Sequence, residues 1–205
     1  MTKLILVRHG QTLWNKELKY QGHSDVVLDE DGLRQAALVG ERLKGEKIDA
    51  VYSSDLKRAF ATAEAIANHH SLPVFIMPGL REMKFGEWEG FTFKFIYERW
   101  PEEMDKLFAN AREARVPGGE TFDEVKSRAA AAVDELVAKH PEQTVVAVCH
   151  GGTIRTIICN VLGIDLNRVW DIKQDNTAVN IIEFYPERAI ISLLNDTHHL
   201  VETKT

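Results

Sequence analysis

Four short apolar segments, each almost unbroken by polar residues, restrict how this chain can fold more than any other feature. They span residues 4–7, 50–52, 74–77 and 145–149. Continuous apolar runs of this length are typical of strands that are covered on both faces, as in parallel sheets. Because segments with helical spacing separate them, we predict an α/β fold in which a mostly parallel sheet carries helices on both faces.

Two of the intervening segments carry an apolar stripe at helical spacing. The first stripe consists of Leu33, Ala37, Gly40 and Leu43, and the second of Phe122, Val125, Ala129, Val133 and Leu136. The second stripe is preceded by Thr121, which together with Glu124 has the T-x-x-E pattern of a capping box. We therefore expect a helix to begin directly after Thr121.

Two further apolar segments lie near the C-terminus and differ from the first four. Residues 179–184 and 190–194 are separated by Tyr185-Pro186-Glu187-Arg188. Two short apolar runs around such a tight turn predict a hairpin. The sheet is therefore expected to hold about six strands, with one antiparallel edge.

The composition limits the classes of protein to which the chain can belong. Its 205 residues, 44% of them hydrophobic, suffice for a buried core, and we expect a single domain over residues 1–205. A net charge of −6 argues against non-specific nucleic-acid binding, which needs a basic surface. We find no apolar stretch that could span a membrane and no signal-peptide pattern, so a cytoplasmic location is expected. Cys149 and Cys159 fit buried thiols better than a disulfide.

Two histidines far apart in the sequence come directly after predicted strands. Arg8-His9-Gly10 follows the first apolar segment, and His150-Gly151-Gly152 follows the fourth. The carboxyl ends of parallel strands line the ligand crevice of an open α/β sheet where the strand order switches. The two imidazoles are therefore predicted to meet in one site. An imidazole beside a fixed guanidinium suits an anionic phosphorus centre better than a carbonyl group.

Further motifs occur in a fixed order along nearly the whole chain. They are Arg8-His9-Gly10, Asn15, Gln21-Gly22-His23, Ser53-Ser54-Asp55-Leu56 with Arg58, Thr62-Ala63, Glu82 with Phe85-Gly86 and Trp88-Glu89-Gly90, and His150-Gly151. This ordered set resembles the histidine phosphatase superfamily, also called the phosphoglycerate mutase-like family. Gln11, Val27 and Cys149 depart from the usual pattern of that family, but none of the three removes a catalytic function.

The resemblance implies a role for each side chain of the site. His9 attacks phosphorus and becomes a phosphohistidine, and Glu82 protonates the leaving alkoxide and then activates water. Arg8, Arg58 and His150 stabilise the phosphoryl charge. The residues expected to contact phosphate or substrate are Asn15, Gln21, Gly22, Gly151, Phe85 and Trp88. Because two arginines and a histidine already cover the charge, no metal and no other cofactor is expected.

Two electrostatic expectations accompany these roles. Arg8 and Arg58 should disfavour a proton on His9 and keep its ring nucleophilic. A helix that begins after Gly152 should point its positive end into the site. For Glu82, burial would raise the pKa and the arginines would lower it, and the sequence leaves that balance open.

The segment 85–118, which we call the roof segment, is rich in aromatic side chains and is expected to cover the site. Phe93, Tyr97 and Trp100 have helical spacing, which favours packing of this segment onto the body as core. Phe85 and Trp88 come soon after Glu82, and we expect them to contact the leaving group. That contact would favour an apolar or aromatic alcohol.

Two pairs of adjacent histidines, His69-His70 and His198-His199, raise the question of a metal site. Neither pair has a ligand spacing typical of zinc, and we interpret both as structural. His198 follows the last predicted strand closely enough to approach the site.

The resemblance leaves several activities open. The short chain and aromatic roof favour a phosphomonoesterase over a phosphoglycerate mutase. The pattern is similar to that of α-ribazole phosphatases of cobalamin biosynthesis, so α-ribazole 5′-phosphate is the first expectation for the substrate. Phosphoserine or sugar phosphates are the alternative, and a catalytically silent member that binds phosphorylated ligands is a further one. The expected partner is thus a small phosphorylated metabolite, and formation of a homodimer is left open.

Overall fold

The computed structural model describes residues 1–201 and shows a mixed sheet with helices on both sides. The strands are β1 (Thr2–Arg8), β2 (Ala50–Ser53), β3 (Val74–Ile76), β4 (Thr144–Cys149), β5 (Val179–Tyr185) and β6 (Arg188–Asp196). Within residues 1–201 they form one six-stranded sheet in the order β3-β2-β4-β1-β5-β6. The first four strands of the chain are parallel, whereas β5 is antiparallel to β1 and β6 is antiparallel to β5. The predicted parallel sheet with an antiparallel edge is confirmed.

The strand order brings the ends of β1 and β4 side by side. The chain leaves β1 toward β2 and leaves β4 toward β5, which lie toward opposite edges of the sheet. Such a switch opens a crevice at the carboxyl ends of the two strands. In the register of this pair, Arg8 lies opposite Cys149. His9 and His150, the next residues, therefore leave the sheet at the same level.

Helices cover both faces of the sheet, as predicted. They are α1 (Leu13–Lys16), α2 (Glu30–Leu43), α3 (Lys57–Ala67), α4 (Phe93–Arg99), α5 (Pro101–Ala109), α6 (Phe122–Lys139) and α7 (Gly151–Leu162). Short 3-10 turns span Asn68–His70, Pro78–Leu80, Gly86–Trp88, Leu166–Asp171 and His198–Leu200. Successive β1 side chains point to opposite faces. Ile5 and Val7 pack with α2 and α3, and Leu4 and Leu6 pack with α6 and α7.

The two predicted helical stripes have different outcomes. All five residues of the α6 stripe are buried, and Thr121 and Glu124 form the expected capping box. In α2, by contrast, Leu33 is 57% exposed and Ala37 is also exposed. The buried face consists of Gly32, Ala36, Val39, Gly40 and Leu43. The prediction for Leu33 and Ala37 was wrong because glycine lets this helix approach neighbouring backbone: a Cβ on Gly32 would lie 2.0 Å from the carbonyl oxygen of Gln11.

The apolar segment at β3 is not covered on both faces. Phe75 and Ile76 are exposed, because β3 lies at the edge of the sheet. The Phe75 ring packs beside Tyr52 at a centroid distance of 5.3 Å, and the Lys139 ammonium lies over it. A continuous apolar run therefore indicated the strand correctly, but its predicted burial was wrong.

The roof segment contains α4 and α5, and the aromatic side chains of these two helices are exposed and do not form the predicted core, whereas Trp88 before them is buried in it. Phe93 and Tyr97 are 45% and 44% exposed, and their rings stack on each other. The buried residues of the two helices are Ile96, Met104 and Leu107. The spacing of aromatic residues therefore did not mark the buried face of α4, and the two helices pack on the body through Ile96, Met104 and Leu107. Within residues 1–201, no helix has both the length and the apolar character needed to cross a membrane.

Candidate active site

The rings of His9 and His150 meet at the carboxyl ends of β1 and β4. Their centroids are 5.1 Å apart, with the ring planes tilted by 57°. The backbone amide of His9 donates to the carbonyl oxygen of Cys149 at 3.0 Å, which continues the pairing of β1 with β4 by one residue. Both histidines are buried. The predicted convergence of the two imidazoles is confirmed.

The ring of His9 is oriented by its own backbone. Its Nδ1 lies 2.7 Å from the carbonyl oxygen of Gly10. A carbonyl only accepts, so Nδ1 carries the hydrogen and Nε2 keeps its lone pair. Burial lowers the pKa of His9 well below its usual value, and the charges of Arg58 and Arg8 lower it further. The imidazole is therefore neutral, with Nε2 as the free nucleophilic atom.

Two guanidinium groups stand beside the histidines, that of Arg58 fully buried and that of Arg8 partly buried. Arg8 ends β1 and donates through Nη1 to the carbonyl oxygen of Gln174 at 2.6 Å. Arg58 lies in the first turn of α3 and donates to the carbonyl oxygens of Ser24 and Gly22 at 2.8 and 2.7 Å. Burial lowers the pKa of each guanidinium to about 10. Both therefore remain cationic at neutral pH, and backbone carbonyls hold them in place.

Several buried polar atoms of this cluster have no hydrogen-bond partner among residues 1–201. They are Nε of Arg8, Nε of Arg58, both ring nitrogens of His150, and Oε1 of Gln21. Buried polar groups in proteins nearly always have partners, so such a group of atoms indicates a ligand site. The guanidinium members are donors with positive charge, which is the arrangement an oxyanion requires.

Glu82 reaches the cluster from the loop after the 3-10 turn at Pro78–Leu80. Its Oε2 accepts from the Gly152 amide at 3.1 Å, and its Oε1 accepts from the amides of Thr153 and Met83 at 3.2 and 2.9 Å. The carboxylate thus occupies the amino-terminal end of α7, where N–H groups stabilise negative charge. The positive end of α7 therefore points into the site, as expected, although the helix begins at Gly151 and the Gly152 amide binds Glu82.

A second set of contacts fixes the backbone of Glu82. Its carbonyl oxygen lies 2.8 Å from Nε2 of His23 and accepts from Nη2 of Arg128 at 2.9 Å. Arg128 also donates to the carbonyl oxygens of Gly79 and Arg81. One guanidinium of α6 therefore shapes the whole loop that presents the carboxylate.

A cavity of about 560 Å³ opens over these groups. Its walls include most of the residues predicted from the sequence, namely Arg8, His9, Asn15, Gln21, Gly22, Arg58, Glu82, Phe85 and Gly151. His150 is fully buried beside His9 and is not among the residues that line this cavity. Among residues 1–201, no three His, Cys, Asp or Glu side chains are grouped closely enough to hold a metal ion.

Two predicted contacts do not lie where the sequence placed them. Trp88 is 0% exposed and packs against Tyr20 at a centroid distance of 6.1 Å, so it supports the cavity wall without lining it. Its indole follows the 3-10 turn at Gly86–Trp88 into the core, whereas Phe85 faces the cavity. His198 is exposed and lines a different pocket together with Arg42 and Asp196.

The sequence analysis missed several residues that line the cavity. Arg155 is the main one, and the others are Lys19, Tyr20, Phe93, Phe122, Trp170 and Asn176. Arg155 lies four residues after Gly151 on α7, and residues at that spacing share a helix face. That spacing was the available signal. Phe122 had been assigned to the α6 stripe, and Trp170 belongs to the 3-10 turn Leu166–Asp171, which carries no helical or strand periodicity.

The fold and the cluster together define a class of protein, the phosphoric monoester hydrolases that use histidine. Residues 4–197 match the histidine phosphatase superfamily (branch 1). The chain belongs to that superfamily and is a phosphatase.

Relatives of known identity agree with this assignment. The chain is 36% identical over 202 residues to phosphoserine phosphatase 1 of Hydrogenobacter thermophilus. The match covers 98% of this chain and 96% of that protein. It is 31% identical to the phosphoserine phosphatase of Entamoeba histolytica, whose crystal structure was solved as a His9→Ala mutant in complex with phosphoserine. The two structures match with a TM-score of 0.90 over 98% of this chain and 100% of that one.

A putative α-ribazole-5′-phosphate phosphatase from Escherichia coli is also similar, but less so. Its structure is 28% identical with a TM-score of 0.87, covering 95% of this chain and 96% of that one. The comparisons therefore favour the phosphoserine alternative over the first expectation of α-ribazole 5′-phosphate.

Proposed function

We propose that this chain is a metal-independent phosphomonoesterase that works through a phosphohistidine at His9 and takes phosphoserine or a closely related small phosphorylated acid. The observation that carries the proposal is the position of His9. Its neutral ring presents Nε2 beside the guanidinium groups of Arg8 and Arg58, in a cavity open to a ligand. A nucleophile next to fixed cations is what transfer of a phosphoryl group needs.

The reaction takes place in two balanced steps. In the first, Nε2 of His9 forms a bond to phosphorus while the ester P–O bond breaks, and the carboxyl group of Glu82 gives its proton to the leaving alkoxide. In the second, the carboxylate of Glu82 takes a proton from water, the oxygen of that water bonds to phosphorus, and the N–P bond breaks. Inorganic phosphate leaves and His9 is restored.

The charge on the transferred phosphoryl group is met by side chains alone. Arg8 and Arg58 supply positive charge, and the single ring N–H of neutral His150, which has no partner among residues 1–201, would donate a further hydrogen bond. Asn15, Gln21 and Gly22 also line the cavity and would complete the contacts to the phosphate oxygens. Fixed groups of this kind do the work that Mg²⁺ does in P-loop enzymes.

Arg155 supports an acidic leaving group. Its Nε donates to the carbonyl oxygen of Ile172 at 2.7 Å, and its guanidinium lies 5.9 Å from the centroid of the Trp170 ring. The two Nη atoms make no hydrogen bond to any of residues 1–201, and the side chain lines the cavity. A guanidinium held in this way can bind a carboxylate through two parallel hydrogen bonds. The substrate carboxylate of phosphoserine would be bound at this position.

The substrate assignment is tested by comparing phosphoserine with O-phosphoethanolamine, which lacks only the carboxylate. Wild type should prefer phosphoserine in kcat/KM. Arg155→Met should lower kcat/KM for phosphoserine about thirtyfold, the size expected for loss of a charge-assisted pair, and should leave O-phosphoethanolamine unchanged. Arg155→Lys is the matched control that keeps the charge without the planar fork. Equal losses on both substrates would contradict the assignment.

The alternative substrates and activities predict different results in the same assay. A higher kcat/KM for α-ribazole 5′-phosphate or a sugar phosphate would overturn the phosphoserine assignment while leaving the phosphohistidine mechanism intact. Interconversion of phosphoglycerates would indicate a mutase, and absence of turnover on every ester would indicate a silent binder. Three expectations from the sequence stay predictions. They are the single domain with its roof segment, the cytoplasmic location and the formation of a homodimer.

A further inference from the structure

The C-terminal 3-10 turn His198–Leu200 is linked to His9, the proposed nucleophile, through Thr177. His199 on this turn lies with Arg42 of α2 and Asp196 at the end of β6 in a pocket that shares no residue with the active-site cavity. Nε2 of His199 is 3.0 Å from Oγ1 of Thr177, just before β5. The backbone amide of Thr177 in turn contacts the carbonyl oxygen of His9.

The backbone of His9 is held by two donors from the Asn176-Thr177 turn. The carbonyl oxygen of His9 accepts from Nδ2 of Asn176 at 3.0 Å and from the backbone amide of Thr177 at 3.3 Å. Together with the bond from the His9 amide to Cys149, these contacts fix both sides of the nucleophile's peptide unit. A shift of Thr177 would therefore move the backbone of His9.

The hydrogen bonds determine the tautomer of His199. The Thr177 hydroxyl donates its only hydrogen to the carbonyl oxygen of Asn176 at 2.8 Å, so Oγ1 accepts from Nε2–H of His199. The opposite ring nitrogen, Nδ1, faces Nη1 of Arg42 at 3.4 Å and presents a lone pair to it. Arg42 is held in turn by its ion pair with Asp196. A neutral His199 thus links a fixed guanidinium to Thr177.

The surroundings of His199 keep it neutral. Burial lowers its pKa to about 4, and the charges of Arg42 and His198 act in the same direction against the opposing charge of Asp196. Glu41 of α2 lies at the same pocket. At neutral pH the ring can therefore donate from one nitrogen and accept at the other.

Thr177 needs such support because its backbone is strained. Its φ is +53°, in the left-handed region that β-branched residues rarely adopt. A residue of this kind stays there only where its surroundings hold it, at a cost of about 1–3 kcal/mol. The contacts of its hydroxyl to His199 and to the Asn176 carbonyl, and of its amide to His9, are the ones that hold it.

We propose that His199 is a positioning residue for the nucleophile, acting through its hydrogen bond to Thr177 and the bonds of the Asn176-Thr177 turn to the His9 carbonyl. The inference rests on the proposed role of His9. It assigns to the C-terminal turn a part in aligning Nε2 with phosphorus, although that turn touches no part of the cavity.

The test measures kcat and KM on p-nitrophenyl phosphate, so that an error in the natural substrate does not affect it. His199→Ala should lower kcat about ten- to a hundredfold with KM within about twofold, the effect of misplacing a reacting group. His199→Gln, whose amide can donate at the same reach, should recover most of kcat. His198→Ala is the matched control on the exposed neighbour and should equal wild type.

A second variant separates positioning from folding. Thr177→Val keeps the shape of the side chain and removes the hydroxyl, and it should reproduce the loss in kcat seen with His199→Ala. In ¹⁵N-resolved NMR spectra of the imidazoles, both variants should change the Nδ1–H signal of His9. An effect confined to the C-terminal turn would leave that signal unchanged.

Three results would overturn the inference. These are wild-type kcat in His199→Ala, wild-type kcat in Thr177→Val, and an unchanged His9 signal in a folded variant of either kind. Turnover that survives in His9→Ala would instead contradict the proposed function itself. The two failures are therefore distinguishable.

Discussion

Glu82 and Gly152 fit against each other at the start of α7. The Gly152 amide donates to Oε2 of Glu82 at 3.1 Å, and a Cβ on Gly152 would lie only 2.5 Å from Oε1. The helix can therefore hold the carboxylate only if this position has no side chain. Glycine at position 152 is therefore required if Glu82 is to act as the proposed acid and base.

Gly152→Ala should displace Glu82 and weaken proton transfer to the leaving group. We expect a loss of about a hundredfold in kcat/KM for phosphoserine, since general acid catalysis contributes on that order. The loss for p-nitrophenyl phosphate should be much smaller, because nitrophenolate leaves without a proton. Gly45→Ala is the control, since its Cβ would meet no heavy atom within 4 Å. Equal losses on both esters would show that Glu82 is not the acid.

Arg58 should contribute mainly to the transition state. Its guanidinium is fully buried and is oriented by two backbone carbonyls. Arg58→Ala is expected to cost about 3 kcal/mol in transition-state stabilisation, or more than about a hundredfold in kcat/KM. Arg34→Ala, whose side chain is 77% exposed, should behave as wild type. A loss below about tenfold for Arg58→Ala would place that residue outside the reacting site.

Stability should fall as the pH drops below about 6.5, the ordinary pKa of histidine. Burial and neighbouring arginines lower the pKa of His9 and His150 in the folded state, so unfolding takes up protons below that pH. The free energy of unfolding then decreases with falling pH, by up to about 1.4 kcal/mol per pH unit for each histidine.

Urea unfolding between pH 7 and pH 5 checks this dependence. His150→Asn removes one of the histidines with a lowered pKa and should flatten the slope by up to about 1.4 kcal/mol per pH unit. An identical slope in wild type and variant would mean that His150 is not buried as the neutral form.

Chelation should leave turnover unchanged, because in the proposed mechanism Arg8 and Arg58 supply the positive charge that stabilises the phosphoryl group. The measurement is hydrolysis of p-nitrophenyl phosphate after dialysis against EDTA, with His9→Ala as the blank. Activity that disappears on chelation and returns with a divalent ion would contradict the proposed mechanism.

The sheet and the central pair of histidines could be predicted from local patterns. Strand segments are short and apolar, and chain order together with the rule on strand ends places His9 and His150 at one edge. Arg58 and Glu82 could be added only through the order of the motifs, because neither has a local signal of its own. The capping box at Thr121 was equally local, and it is formed as expected.

The rest depends on packing that no local pattern encodes. The buried face of α2 is set by the close backbone approach at Gly32, which rotates Leu33 toward solvent. Arg155 and Trp170 reach the cavity because α7 and the turn after it pack against each other, and the direction of that turn is a tertiary property. Trp88 and Phe93 were misjudged for the same reason, since aromatic content alone does not tell which side of a short helix faces the body.

The most direct test of the account is to find where the phosphoryl group goes. Turnover of phosphoserine quenched in alkali, where phosphohistidine survives, should yield by peptide mass spectrometry a phosphorylated peptide containing His9, with the group on that ring. His9→Ala should yield none and should not turn over. Detection of phosphate on another residue, or steady turnover by the His9→Ala variant, would contradict the central claim.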